Sequence, residues 1–241
     1  HWEHAERIWN EAEAVARSIE NSFQQASALR GLAIALARVQ RWEHAEVVTR
    51  SIQDDTQQAE ALRSLAIALT EVQRLEQAEA MARSIQDDTQ QAKALRGLAF
   101  ALTKAQNWEH AERIWGEAEA VARSIQDDTQ QAETLRSLVT SLAGFQRWEQ
   151  AEAVAHSIEN SVQRGEALRR LAEILLKKNQ HELLLRIVQR AWLLAETREY
   201  ALQLIILALG LVYLKPEIGI EFFKAFRWVD TFLNGGDSKD E

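Results

Sequence analysis

The segment SIQDDTQQA occurs three times in this chain, at residues 51–59, 84–92 and 124–132. Each copy is followed closely by a leucine-arginine pair, and two diverged copies, SIENSFQQASALRGLA and SIENSVQRGEALRRLA, begin at Ser18 and Ser157. Internal repetition of this kind is typical of stacked structural units, each of which buries its apolar side against the next. The sequence therefore predicts at least five copies of one unit.

The period of the repeat takes two values. A bulky residue marks the same place in successive units, at Trp2, Trp42, Leu75, Trp108, Trp148 and, in a degenerate copy, His181. These markers are spaced by 33 or 40 residues, and the seven extra residues always lie between the marker and the next Ser-Ile. Since seven residues are close to two helical turns, we expect the insertion to lengthen a helix and keep its buried face in phase.

Each unit has the pattern of two antiparallel helices. Leu62, Leu65, Ala66 and Leu69 follow the i, i+3, i+4, i+7 spacing of a helix that is apolar on one side. The aspartates before this stripe are typical N-caps, and the short turns between helices favour antiparallel neighbours. With nine glycines and one proline in 241 residues, the chain is predicted to be all-α.

A family resemblance rests on eight positions of the second full unit, namely Leu62, Leu65, Ala66, Leu69, Leu75, Ala78, Ala82 and Ile85. Their spacing resembles the tetratricopeptide repeat, although the usual glycine of the turn and the terminal proline are missing. The resemblance implies an α-solenoid of about six helix pairs wound as a right-handed superhelix. The near-identical WEHAE segments at 2–6, 42–46 and 108–112 also resemble the sensor arrays of bacterial STAND-type signalling NTPases.

The repeat pattern divides the chain into four segments. Residues 1–20 are expected to be the second helix of a truncated preceding repeat, and residues 21–180 to be five tetratricopeptide-like repeats. Residues 181–233 are richer in large apolar side chains, which predicts degenerate C-terminal capping helices, and 234–241 is expected to be a disordered tail. The first residue is not methionine, so we expect the chain to belong to a longer protein.

Composition restricts the partners and the compartment. The absence of cysteine fits a cytoplasmic protein, and a formal net charge of -8 argues against nucleic-acid binding. The most apolar stretch, residues 200–214, is too short to span a bilayer, so no membrane association is predicted.

One position of the first helix is always arginine. In tetratricopeptide arrays this helix lines the concave surface, and the residue after its first core leucine is Arg30, Arg63, Arg96, Arg136 and Arg169 in the five units. Guanidinium groups bind carboxylates and phosphates through two parallel hydrogen bonds, which predicts a groove for an acidic peptide or another anion. The alternative is that each arginine pairs with a nearby acid, such as Glu60 for Arg63, and joins the repeats.

Other candidate binding residues differ from unit to unit. Four positions beyond each arginine are Ile34, Ile67, Phe100, Thr140 and Glu173, which change from apolar to polar along the predicted groove. Trp9 and Trp115 lie in the two insertions, where they are candidate aromatic anchors for a ligand or, alternatively, pack on the neighbouring helix.

The sequence carries no recognisable catalytic apparatus. His4, His44 and His110 lie in different repeats and cannot converge on one metal ion, and no phosphate-binding loop or nucleophile motif occurs. We therefore expect no catalytic residue, metal or cofactor, and predict a non-enzymatic scaffold that binds a protein or peptide. The alternatives are self-assembly into a homo-oligomer through the truncated N-terminal end, and a helical-toroid enzyme in which Glu173 is the only acid at a groove position.

Overall fold

The computed structural model describes residues 2–193, together with Lys224 and Arg227. Within these residues the chain forms eleven α-helices, which alternate between two types. The A helices are α2 (Ser22–Arg38), α4 (Asp55–Glu71), α6 (Asp88–Lys104), α8 (Asp128–Gly144) and α10 (Ser161–Lys177). The B helices are α1 (Trp2–Arg17), α3 (Trp42–Arg50), α5 (Leu75–Arg83), α7 (Trp108–Ser124), α9 (Trp148–His156) and α11 (His181–Leu193).

Helices that are neighbours in sequence pack against each other. The chain divides into two compact units, His1–Thr134 and Leu135–Glu241. In the first unit α1 packs on α2, each later A helix packs on the B helices beside it, and α2, α4 and α6 also lie side by side. In the second unit α10 packs on α9 and α11. The prediction of an all-α chain of paired helices is confirmed over the described residues.

Each A helix begins at a side-chain cap. The Oδ1 atom of Asp54 accepts a hydrogen bond of 2.8 Å from the backbone N–H of Gln57, and Asn21, Asp87, Asp127 and Asn160 make the same bond in their units. The predicted capping role of the aspartates is confirmed, and it belongs to the first residue of each Asp-Asp pair. The cap satisfies one of the free N–H groups at the helix start.

The second glutamine of the repeated QQ pair joins each B helix to the next A helix. The side-chain amide of Gln58 donates to the carbonyl oxygens of Arg50 (2.9 Å), the last residue of α3, and of Ile52 (2.8 Å), just beyond its C-cap. The same two bonds recur at the equivalent positions, so we call Gln25, Gln58, Gln91 and Gln131 the glutamine latches.

The apolar stripe of the A helices forms the core. Leu62, Leu65, Ala66 and Leu69 are all buried, as the spacing predicts. Complete burial of a leucine side chain contributes about 1.5–3 kcal/mol, so repeated leucines account for much of the stability of each unit.

The turn from each A helix to its B helix uses a left-handed residue that is not glycine. Gln40, Gln73, Gln106, Gln146 and Asn179 have φ values between 57° and 66°. At Gln73 the flanking bonds run from Arg74 N–H to the Leu69 oxygen (2.9 Å) and from Gln73 N–H to the Thr70 oxygen (3.0 Å), which is a Schellman motif. Where the tetratricopeptide pattern has a glycine in this turn, the chain therefore has a residue with a side chain in a strained backbone conformation.

The seven-residue insertion lengthens a B helix, as predicted. Helix α7 has 17 residues, whereas α3, α5 and α9 have 9 each. Its buried residues continue from Ala111 to Ile114, Trp115, Ala118 and Ala122, so the added turns keep the same face inward.

Several sequence expectations fall at the limits of the described residues. Helix α1 occupies most of the predicted first segment, and α11 opens the predicted capping segment. The rest of 181–233 apart from Lys224 and Arg227, the apolar stretch 200–214 and the tail 234–241 lie outside the described residues. Among the helices that are described, none combines the length and apolarity needed to cross a membrane.

Candidate ligand-binding surface

The five predicted arginines occupy the same half-buried position of the A helices, and three of them have acidic partners. Arg30 pairs with Glu60 of the next A helix (3.4 Å), Arg136 pairs likewise with Glu166 (2.6 Å), and Arg169 pairs with Glu173 in its own helix. The pairing alternative is confirmed for these three. The suggested Glu60–Arg63 pair is wrong, because Glu60 turns toward the preceding helix.

Arg63 lies in a different electrostatic environment. The residue of α6 equivalent to Glu60 of α4 is Lys93, so the acid that Arg63 would meet is replaced by a base. Burial lowers the pKa of Arg96, and the charge of Arg63 lowers it further. Positive charge is therefore concentrated between α4 and α6.

The unit-specific residues are more exposed in the later units. Ile34 and Ile67 are half-buried, whereas Phe100 is 41% exposed and Thr140 and Glu173 are exposed. The Thr140 hydroxyl donates to the backbone oxygen of Arg136 at 3.0 Å. The buried leucines of the A helices are the same from unit to unit, whereas these five side chains differ. The variation between units therefore lies outside the buried core.

Helix α6 approaches α4 closely at one glycine. A Cβ atom added to Gly97 would lie 3.2 Å from Cδ1 of Ile67, so a larger residue would push the isoleucine away. Beside this contact the Lys104 ammonium lies 5.1 Å from the ring centroid of Phe100, within cation–π range. The exposed ring is thus flanked by a positive charge.

The structure corrects the prediction that Trp115 is an exposed anchor. Trp115 is only 3% exposed, and its indole N–H donates to the Thr103 hydroxyl of α6 at 3.2 Å. The physical reason is that α6 covers this face of α7. Trp9 is half-buried in α1, and its role as an anchor stays a prediction.

A buried glutamate of the B helices was not identified from the sequence. Glu79 of α5 is 7% exposed and accepts hydrogen bonds from Arg83 (2.9 Å) and from Arg113 of α7. Glu117 of α7 binds the same two arginines, each at 2.9 Å. Burial alone would raise the pKa of Glu117, but the hydrogen bonds and charges of Arg83 and Arg113 lower it.

The second unit contains a related cluster. Glu152 of α9 is buried at the position equivalent to Glu79 and faces Arg190 (3.4 Å) and Arg186 (3.7 Å) of α11. Burial lowers the pKa of the neighbouring His156. The sequence signal for such a cluster is an arginine in the following B helix. Glu46 of α3, which is equivalent to Glu79, lacks this partner because α5 has Ala80 at the position of Arg113, and Glu46 pairs within α3.

A polar cavity of about 490 Å³ lies at the start of the A helices in the first unit. Its lining includes Thr56 and Leu62 of α4, Thr89 and Lys93 of α6, and Gln130 of α8. In the part of the chain that the structure describes, no three histidine or carboxylate side chains come together as a metal site.

Comparison with known proteins gives no assignment. The chain matches no protein-family model and no curated protein sequence.

Proposed function

We propose that this chain is a non-catalytic recognition scaffold that binds a protein or peptide segment along its A helices. In this proposal the helix pairs form a tetratricopeptide-like α-solenoid, a right-handed superhelix whose concave side presents the A helices. The observation that carries it is the combination of a repeated buried stripe, as in Leu62 and Leu95, with partly or fully exposed positions that differ between units, as in Ile67 and Phe100.

A constant core with a variable surface suits recognition better than catalysis. Duplicated units retain the side chains that pack, while the side chains that meet a partner change from unit to unit. The scaffold would act as the sensor part of a larger cytoplasmic signalling protein, as the resemblance to bacterial STAND-type NTPases implies. It would need no metal or cofactor.

Selection from a random dodecapeptide library displayed on phage tests this function. We expect the immobilised chain to enrich peptides whose affinity falls at least fivefold in the Phe100→Ala variant, since exposed aromatic residues dominate many interfaces. Val47→Ala is the matched control, because Val47 is an exposed apolar residue of a B helix. Failure to enrich any peptide, or equal sensitivity to both substitutions, would count against the proposal.

Self-assembly is a second candidate because apolar side chains are exposed near the start of the chain. Ile8 and Val15 of α1 and Phe23 of α2 are all exposed. Sedimentation equilibrium over a hundredfold range of protein concentration tests it, with Ile8→Glu/Val15→Glu as the variant that should dissociate. A wild-type chain that stays monomeric throughout contradicts this candidate.

A further inference from the structure

Helix α6 carries a row of cationic side chains around an exposed aromatic ring. Lys93, Arg96, Phe100 and Lys104 lie on one face, because spacings of three, four and four residues return to the same side of a helix. We call these four residues the α6 stripe. No other A helix has cations at all three of the positions occupied here by lysine and arginine.

The acids at the equivalent positions of α4 are engaged with α2. On α4 the residues equivalent to Lys93 and Lys104 are Glu60 and Glu71, and they are held by Arg30 and Arg38 of α2, each at 3.4 Å. Lys93 forms no ion pair within the described residues, and Lys104 contacts only the Phe100 ring there. Within the part of the chain that the structure describes, no acidic side chain is paired with either lysine.

Arg63 extends the positive surface onto α4. Arg63 holds the same position in α4 as Arg96 in α6, and burial together with the charge of Arg63 lowers the pKa of Arg96. Helices α4 and α6 lie close together where Gly97 meets Ile67. The result is a local cationic surface on a chain whose net charge is -8.

We infer that the α6 stripe binds an acidic peptide segment, with two carboxylates on the lysines and an apolar side chain on Phe100. This inference rests on the proposed function and names the chemistry of its partner. Lys93 and Lys104 are about 16 Å apart along the helix axis, from a rise of 1.5 Å per residue. An extended peptide covers that distance in about five residues.

The spacing sets the sequence that the stripe selects. The carboxylates should be about five residues apart, with a leucine, isoleucine or aromatic residue between them and nearer to the carboxylate on Lys104. Arg63 adds positive charge beside the first carboxylate, and an arginine there can form two parallel hydrogen bonds to it.

The test compares peptide binding by two charge-reversal variants. Lys93→Glu/Lys104→Glu gives α6 the two glutamates that α4 has at these positions, so the repeat already accommodates them. Lys177→Glu/Lys178→Glu is the control, since it changes net charge equally at the exposed end of α10. The probe is the pool of dodecapeptides selected on the wild-type chain, titrated by fluorescence anisotropy, with circular dichroism to confirm folding.

We expect the selected pool to be enriched in Asp and Glu, and its affinity to fall about tenfold or more in the α6 variant and less than twofold in the control. Raising salt from about 50 to 500 mM should weaken wild-type binding several-fold, because exposed charges are screened. Selected peptides without acidic enrichment, which bind the α6 variant as tightly as the wild type, would overturn the inference and leave the proposed function standing. If no peptide is enriched, both fail.

Discussion

Helices α1 and α7 have nearly the same sequence and opposite environments. Over residues 2–17 and 108–123 they differ only at Asn10 and Gly116. Yet Ile8 is 49% exposed where Ile114 is 0% exposed, and half-buried Trp9 corresponds to buried Trp115. The same residues form core in one helix and surface in the other.

The difference comes from the elements around each helix. Helix α7 is covered by α6, whose Thr103 accepts the hydrogen bond of Trp115, and α5 supplies Glu79 to Arg113. In α1 the equivalent arginine, Arg7, pairs instead with exposed Glu11 at 3.7 Å and with His4 at 3.0 Å. The burial of α7 therefore depends on its contacts with α5 and α6 as well as on its own sequence.

The largest expected effect comes from removing the covered tryptophan. Trp115→Ala should lower the free energy of unfolding by about 3–5 kcal/mol, because it leaves a cavity between α6 and α7. Trp9→Ala, the same change in the same local sequence, should cost about 1 kcal/mol or less. Urea unfolding followed by circular dichroism measures both, and equal losses would break the comparison.

The ion cluster should show a smaller difference of the same kind. Arg113→Ala leaves Glu79 with Arg83 alone, and we expect a loss of about 1–2 kcal/mol, reduced from a fully buried pair because the arginines are partly exposed. Arg7→Ala should change stability by about 0.5 kcal/mol or less. The two variants are compared in the same urea titrations, and a larger loss for Arg7→Ala contradicts the assignment.

The pH dependence sharpens the same contrast. Since Arg83 and Arg113 lower the pKa of Glu117 below its ordinary value of 4.5, its ionised form stabilises the fold above that pH, and this stabilisation is lost as pH falls through the lowered pKa. The free-energy difference between wild type and Glu117→Gln should therefore be constant near pH 7 and shrink in acid. Glu11→Gln, in exposed surroundings, should differ less from wild type at every pH; a difference for Glu117→Gln that grows in acid would be the wrong sign.

The smallest effect is expected at the one position where the sequences of the two segments differ. Gly116→Asn makes the two segments identical, and a Cβ added at Gly116 meets no atom within 4 Å beyond its chain neighbours and the local backbone of its own helix. We expect a stability change of about 0.5 kcal/mol or less, in the direction of higher helix propensity, and unchanged fluorescence quenching of Trp115. If Trp115 became accessible to acrylamide, the local sequence would matter more than the covering helices.

The sequence predicts the helices well because each signal is local. The stripe of Leu62 and Leu65, the Asp54 cap and the seven-residue insertion depend on spacing within one helix or at its end, and all three are confirmed. The Gln73 turn was harder to foresee, since left-handed residues are usually glycine and the repeat geometry overrides that preference.

The candidate surface was less predictable because its contacts run between units. Glu60 is three residues from Arg63 in sequence but binds Arg30, and Trp115 shares its sequence context with Trp9 but not its cover. Spacing along one helix cannot show which neighbouring side chain lies opposite. When the repeats are aligned, Lys93 of α6 stands where α4 has Glu60. Only the Arg30–Glu60 ion pair in the structure shows that this difference deprives Arg63 of the equivalent acidic partner.

The glutamine latches carry a consequence for how the array comes apart. In α10 the position of the glutamine latch is occupied by Arg164. Its guanidinium donates to the Ile158 oxygen at 3.2 Å, so an arginine joins α9 to α10 where a glutamine joins the other repeats. Cooperativity in a linear array depends on the free energy of each junction, so a weaker junction is where partial unfolding starts. Amide hydrogen exchange at the ends of α3 and α9 should therefore show whether an arginine joins two repeats as firmly as a glutamine does.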